Sequence, residues 1–306
     1  MSGYLDHGQW KQGWYDTDDT QGEFVRTVTE FRHHIGPDSP FPAEPGRYHL
    51  YVSLACPWAH RTLIVRSLKG LEDVIPVSVV EPVMSEQGWA FSAALPDHAN
   101  GFEHAHQLYT AAKADFSGRV TVPVLWDTKT RTIVNNESAE IIRLFNRAFD
   151  EWGDARIDLY PEALRAEIDD INAFIYDNIN NGVYRCGFAT RQAAYEQAFE
   201  RLFAALDRIE ARLATRDWLV GDQHTEADWR LFTTLIRFDP VYVGHFKCNR
   251  QRIADFPQLS RYLRRLYHVP GIARTVDFDH IKRHYYISHP HINPTRIVPA
   301  GPRLEF

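Results

Sequence analysis

Tyr48-His49-Leu50-Tyr51-Val52-Ser53-Leu54-Ala55-Cys56-Pro57-Trp58-Ala59-His60-Arg61 is the stretch on which the fold turns. Its first half alternates. Tyr48, Leu50 and Val52 fall to one side and His49, Tyr51 and Ser53 to the other, the period of a strand. The second half predicts a helix over 60–71. Pro57 suits its first turn, where a missing N–H costs nothing, and Gly70 suits its end. Residues 75–80 (Ile-Pro-Val-Ser-Val-Val) then read as a largely apolar run, the mark of a buried parallel strand. Strand, helix and strand make a βαβ unit with Cys56 at its first turn.

Working outward, residues 81–103 read as an irregular insertion containing Gly88-Trp89-Ala90-Phe91, followed by a helix over 107–116. Residues 121–126 and 132–134 read as the strands of a hairpin, and 139–148 as an amphipathic helix. The order βαβ–α–ββα is that of a thioredoxin-like α/β domain, assigned to 47–150. Residues 1–46 end in Pro37, Pro40, Pro42, Pro45 and Gly46 and read as an irregular N-terminal arm. Residues 151–291 read as an all-α C-terminal domain, with helices over 161–180, 190–213, from about 226 to 238, and 256–268. Thr225-Glu226-Ala227-Asp228 reads as a capping box with Asp in the acidic position. Residues 292–306, with Pro294, Pro299 and Pro302, read as an extended tail.

The composition narrows the function. The 306 residues carry a formal net charge of −6, which argues against a nucleic-acid partner. No run of about 18 apolar residues occurs, so no membrane span is expected. The start of the chain is polar, without a signal core, and Cys56, Cys186 and Cys248 are too few and too scattered for a disulfide framework. Cytoplasmic residence is the resulting expectation.

Cys56 carries the chemistry. A thiol between a strand and a helix start sits where unpaired N–H groups and the helix dipole favour a thiolate, and His60 and Arg61 lie one turn on. A buried structural cysteine is the bland alternative, but strand-Cys-Pro-Trp-Ala-helix is too particular a setting for it. The fourth motif position is Ala59, so an external thiol must resolve any mixed disulfide, which favours glutathione as the partner. Val122-Pro123 reads as a cis-proline bond offering Val122 backbone groups to a peptide-like ligand, although an edge-strand proline is the alternative. Glu137-Ser138 opens a helix and suits the amino-acid end of a γ-glutamyl group, against plain helix capping by Ser138 or Asn136. His280 and His284, with His289 and His291 nearby, have ligand-like spacing but no accompanying metal motif, and no metal site is expected.

These motifs resemble one family. Cys56-Pro57-Trp58-Ala59-His60-Arg61, Gly88-Trp89, Val122-Pro123-Val124-Leu125-Trp126-Asp127 and Asn136-Glu137-Ser138 resemble the glutathionyl-hydroquinone reductases, the Xi class of glutathione transferases. So do Asn181-Gly182-Val183-Tyr184, Phe238-Asp239-Pro240-Val241-Tyr242, His245-Phe246-Lys247-Cys248-Asn249 and Ile281-Lys282-Arg283-His284-Tyr285-Tyr286. The resemblance runs over nearly the whole chain. It implies a homodimer that reduces S-glutathionyl-hydroquinones to hydroquinones, oxidising glutathione as co-substrate without a metal. Carried over by motif, Trp89, Arg119, Val122, Glu137 and Ser138 would hold glutathione. Tyr184, Tyr285 and Tyr286 would join Cys56 as catalytic groups facing the hydroquinone, and the sequence leaves open which of the last two points inward. Two rival readings remain at this level: an omega-like thioltransferase or dehydroascorbate reductase, and a non-catalytic binding protein on the same fold.

Overall fold

The computed structural model describes residues 3–306, which divide into two compact units. The first holds residues up to Trp14, Thr27–Ile157 and Arg274–His289; the second holds Tyr15–Arg26, Asp158–Ala273 and Pro290–Phe306.

The first unit opens with β1 (Gly3–Asp6) and β2 (Gln9–Gln12), paired antiparallel with Tyr4 opposite Lys11. The N-terminal arm is thus not irregular throughout. Its two-residue turn has both His7 (φ 47°) and Gly8 (φ 77°) in the left-handed region, the geometry that matches the twist of a hairpin. An interior strand of the main sheet, β3 (Tyr48–Val52), is followed by α1 (Pro57–Leu68) and β4 (Val77–Val79). All five residues of β3 are buried, so the alternation in sequence does not mark a solvent face here. At the end of α1, Leu71 N–H bonds to Arg66 O and Gly70 N–H to Ser67 O, a C-terminal lock that needs the left-handed Gly70 (φ 64°).

The insertion leads to α2 (His106–Ala112), shorter than expected, and to the two-residue β5 (Gly118–Arg119), which pairs with β1. Then come β6 (Val124–Asp127), β7 (Thr132–Asn135) and α3 (Ser138–Arg147). The main sheet has the order β4-β3-β6-β7, with β3 parallel to β4 and antiparallel to β6. The β6 strand begins only after Pro123, since proline cannot donate to the ladder.

The second unit is helical: α4 (Arg165–Ile175), α5 (Gly182–Phe188), α6 (Gln192–Leu213), α7 (Glu226–Arg237) and α8 (Pro257–Tyr267). The expected single helix over 161–180 is a short 3-10 turn, α4, and a π turn over Tyr176–Asn180. Another π turn, Phe238–Tyr242, follows α7. Asp228 does reach back to accept the Thr225 N–H at 2.7 Å, as the capping-box reading requires.

The chain then forms α9 (Phe278–Ser288), which belongs to the first unit. The continuous segments 1–46 and 151–291 are therefore each split between the units. Ile281, His284, Tyr285 and Ser288 are the buried face of α9. Their i, i+3, i+4, i+7 spacing ties them to the insertion: His284 Nδ1 lies 3.1 Å from Pro82 O, and Ser288 Oγ accepts the Met84 N–H at 3.0 Å. Among the described residues no helix is long and apolar enough to cross a membrane.

Candidate active site

Cys56 is the N-cap of α1, in extended conformation (φ −75°, ψ 121°), with Pro57 as the first helical residue. Its thiol is partly exposed, and Sγ lies 3.5 Å from the carbonyl oxygen of Val122. The Val122–Pro123 bond is cis. The strand-to-helix turn and the loop before β6 therefore meet at the thiol, at the positive end of the α1 dipole. Cys186 and Cys248 belong to the other unit and are 2% and 0% exposed. Burial is the first cause holding the Cys248 thiol well above its ordinary range, and Cys186 beside it adds to this. Neither has the setting of Cys56.

Glu137, not Ser138 or Asn136, is the N-cap of α3. Its Oε1 accepts the Ala139 N–H at 3.1 Å, and its Oε2 lies 3.4 Å from the Thr29 hydroxyl. Ser138 is buried just inside the helix, where its Oγ accepts from Arg61 Nη1 at 3.4 Å. Arg61, from the second turn of α1, is 1% exposed and lies 4.5 Å over the Trp58 ring. It thus links the Cys56 helix to Ser138. The sequence had suggested Arg61 only as a neighbour of the thiol. His60, suggested alongside it, is fully buried, with Nε2 2.8 Å from Thr275 Oγ1.

Trp89 is buried against α9, its ring 4.7 Å from His284 and nearly parallel to it. Arg119 is committed to the N-terminal hairpin. Nη1 donates to the carbonyls of Gly3 at 3.3 Å and Gly13 at 2.7 Å, and Nη2 to Trp14 at 2.6 Å. Tyr285 is 1% exposed and lies between His284 and His289 at 5.3 and 5.6 Å, whereas Tyr286 is half-buried on another side of α9. In the second unit Tyr184 is buried in an aromatic cluster with Phe24, Phe188, Tyr242 and Phe246, with the Arg26 guanidinium 4.9 Å over its ring. The contacts of Arg61 and His284 were not readable as such, because each joins elements far apart in sequence. The apolar spacing of α9 was the available signal. Among the described residues no group of three or more His, Cys, Asp or Glu side chains could hold a metal ion.

Family models agree with this arrangement. The N-terminal domain of glutathione S-transferases matches residues 55–148 and the C-terminal domain matches residues 192–265. The glutathionyl-hydroquinone reductase PcpF of Sphingobium chlorophenolicum is 54% identical, over 98% of this chain and 96% of its own. The chain belongs to the Xi class of glutathione transferases. The crystal structure of the Xi transferase of Phanerochaete chrysosporium matches this Xi-class chain with TM-score 0.91 and 55% identity, covering 94% of this chain and 95% of that one. The glutathione-bound structure of YqjG, a glutathione transferase homolog from Escherichia coli K-12, matches with TM-score 0.91 and 51% identity, covering 99% and 96%. The thioredoxin-like N-terminal domain and the helical C-terminal domain of the Xi class are thus both present.

Proposed function

We propose that this chain reduces S-glutathionyl-hydroquinones to hydroquinones with glutathione, using Cys56 as its only exchanging thiol. The observation that carries the reading is the setting of Cys56: a partly exposed helix N-cap, 3.5 Å from Val122 O, with Ala59 where a second cysteine would stand. The close relationship to PcpF supports the choice of substrate.

In the first step the Cys56 thiolate attacks the sulfur of the aryl thioether. The Cys56–glutathione disulfide forms, the carbon–sulfur bond breaks, and its electron pair goes to the ring carbon, which takes up a proton. In the second step a glutathione thiolate attacks that disulfide, releasing glutathione disulfide and restoring Cys56. The net reaction consumes one glutathionyl-hydroquinone and one glutathione. Residues 47–150, with Trp89, Val122, Glu137 and Ser138, are the proposed glutathione side. Arg119 joins them with part of its fork given to the hairpin. Tyr285, Tyr286 and Tyr184 are the candidate proton donors. Tyr285 is favoured over Tyr286 because it lies on the buried face of α9 with His284, which stacks on Trp89. A homodimer and a cytoplasmic setting complete the proposal, the latter supported by the sparse free cysteines.

The test is turnover of glutathionyl-menadiol with glutathione. Cys56→Ser is expected to abolish it, and the Cys186→Ser/Cys248→Ser double variant to keep near-normal rates. Loss of turnover in a folded double variant would point to an internal resolving thiol. Activity on small mixed disulfides alone would favour the omega-like reading.

A further inference from the structure

Tyr109, on α2, is fully buried, and its hydroxyl is saturated. Its nearest partners are the Thr121 carbonyl, to which it donates at 2.8 Å, and the Thr121 N–H and Asn136 Nδ2, from which it accepts at 3.2 Å each; the Thr121 hydroxyl lies further off at 3.3 Å. A phenol has one proton and two lone pairs, and this arrangement uses all three. The directions follow from the partners. The Thr121 carbonyl can only accept and its N–H can only donate, so the third partner must be a donor. The Asn136 amide must therefore turn its NH₂ toward Tyr109. Its Oδ1 has no hydrogen-bond partner among the described residues, although Asn136 is only 5% exposed. The Asn136 N–H is held separately, by Phe31 O at 3.1 Å.

Thr121 immediately precedes Val122, and Asn136 immediately precedes Glu137 and Ser138. These are the two backbone segments assigned above to glutathione, one from the loop before β6 and one from the start of α3. A single hydroxyl joins them from behind. Burial raises the Tyr109 pKa, so the hydroxyl keeps its proton and this bonding pattern across the working pH range.

We propose that Tyr109 is a positioning residue that sets the spacing of the Val122 and Glu137–Ser138 segments, so that both engage one glutathione. The inference rests on the assignment of those segments to glutathione. It makes Tyr109 part of glutathione affinity without contact to the ligand. Removing the hydroxyl takes a partner from the carbonyl and N–H of the half-buried Thr121 and from the buried Asn136 amide, and a shift of the segments is how these groups regain one.

Tyr109→Phe is expected to raise the KM for glutathione about tenfold while kcat at saturation falls less than about threefold. The alkylation rate of Cys56 by iodoacetamide should stay within about threefold, since α1 and not this tie activates the thiol. Asn136→Ala removes a single arm and should raise KM in the same direction. The double variant should be no worse than the more damaged single one, because both substitutions break one tie. Tyr262→Phe is the control. Its buried hydroxyl donates to Asp228 Oδ1 at 2.6 Å in the other unit, so it should lose thermal stability without a change in KM. Loss of stability with unchanged KM in both Tyr109→Phe and Asn136→Ala would overturn the proposal and leave Tyr109 a structural tie. A wild-type enzyme whose rate does not saturate with glutathione would overturn the glutathione assignment itself, and this inference with it.

Discussion

At the scale of single residues, the reaction makes unequal demands on its groups. Breaking a disulfide releases a thiolate, which needs little help, whereas breaking an aryl carbon–sulfur bond requires a proton at the ring carbon. A tyrosine hydroxyl that supplies this proton should matter for one substrate class only. Tyr285→Phe is expected to lower turnover of glutathionyl-menadiol by about 10²-fold, the low end for a general acid, and to change reduction of a small glutathione mixed disulfide far less. Tyr184→Phe and Tyr286→Phe measured beside it assign the donor among the three. Equal losses on both substrates would mean damaged glutathione binding instead. If the triple phenylalanine variant retains full turnover, tyrosine is not the donor.

At the scale of elements, β3 shows how burial turns a residue into a pH sensor of stability. His49, the second residue of the strand, is 4% exposed, with Nε2 2.8 Å from Ser78 Oγ on β4. Burial pushes its pKa down from 6.5 to about 4. The folded state therefore holds His49 neutral while the unfolded chain takes up a proton below pH 6.5. Its contribution is fully present above that pH and is lost as the pH falls through about 4, up to about 3 kcal/mol in all. Urea unfolding of wild type and His49→Gln at pH 7.5 and pH 4.5 measures this. The wild type should lose more stability on acidification than the variant, and equal losses would mean that the strand tolerates a charged imidazole.

At the scale of the whole molecule, the first unit is assembled from separated pieces of chain, with α9 returning some 120 residues after Ile157. A fragment of residues 47–150 contains Cys56, Val122, Glu137 and Ser138 but lacks the N-terminal hairpin held by Arg119 and the helix stacked on Trp89. It is expected not to fold cooperatively. Circular dichroism melts and glutathione titration of the fragment would check this. A sharp transition with retained binding would show that 47–150 is self-sufficient.

Much of this was legible in the sequence, because the signals are local. The strand-Cys-Pro helix start, the Gly70 stop, the X-Pro turn at Val122–Pro123 and the acidic arm of the Thr225 cap depend on neighbouring backbone geometry, and each is found. The His7–Gly8 turn is equally local, but the proline-rich stretch that ends the arm masks its signal. What only the tertiary structure decided is long-range. The covering of both faces of β3, the return of α9 to the first unit, Arg61 reaching Ser138 and Tyr109 joining Thr121 to Asn136 all pair residues distant in the chain. Hydrophobic periodicity tells a segment which face to bury, but not against which partner. A buried polar group takes its meaning only from the donors and acceptors that folding brings to it.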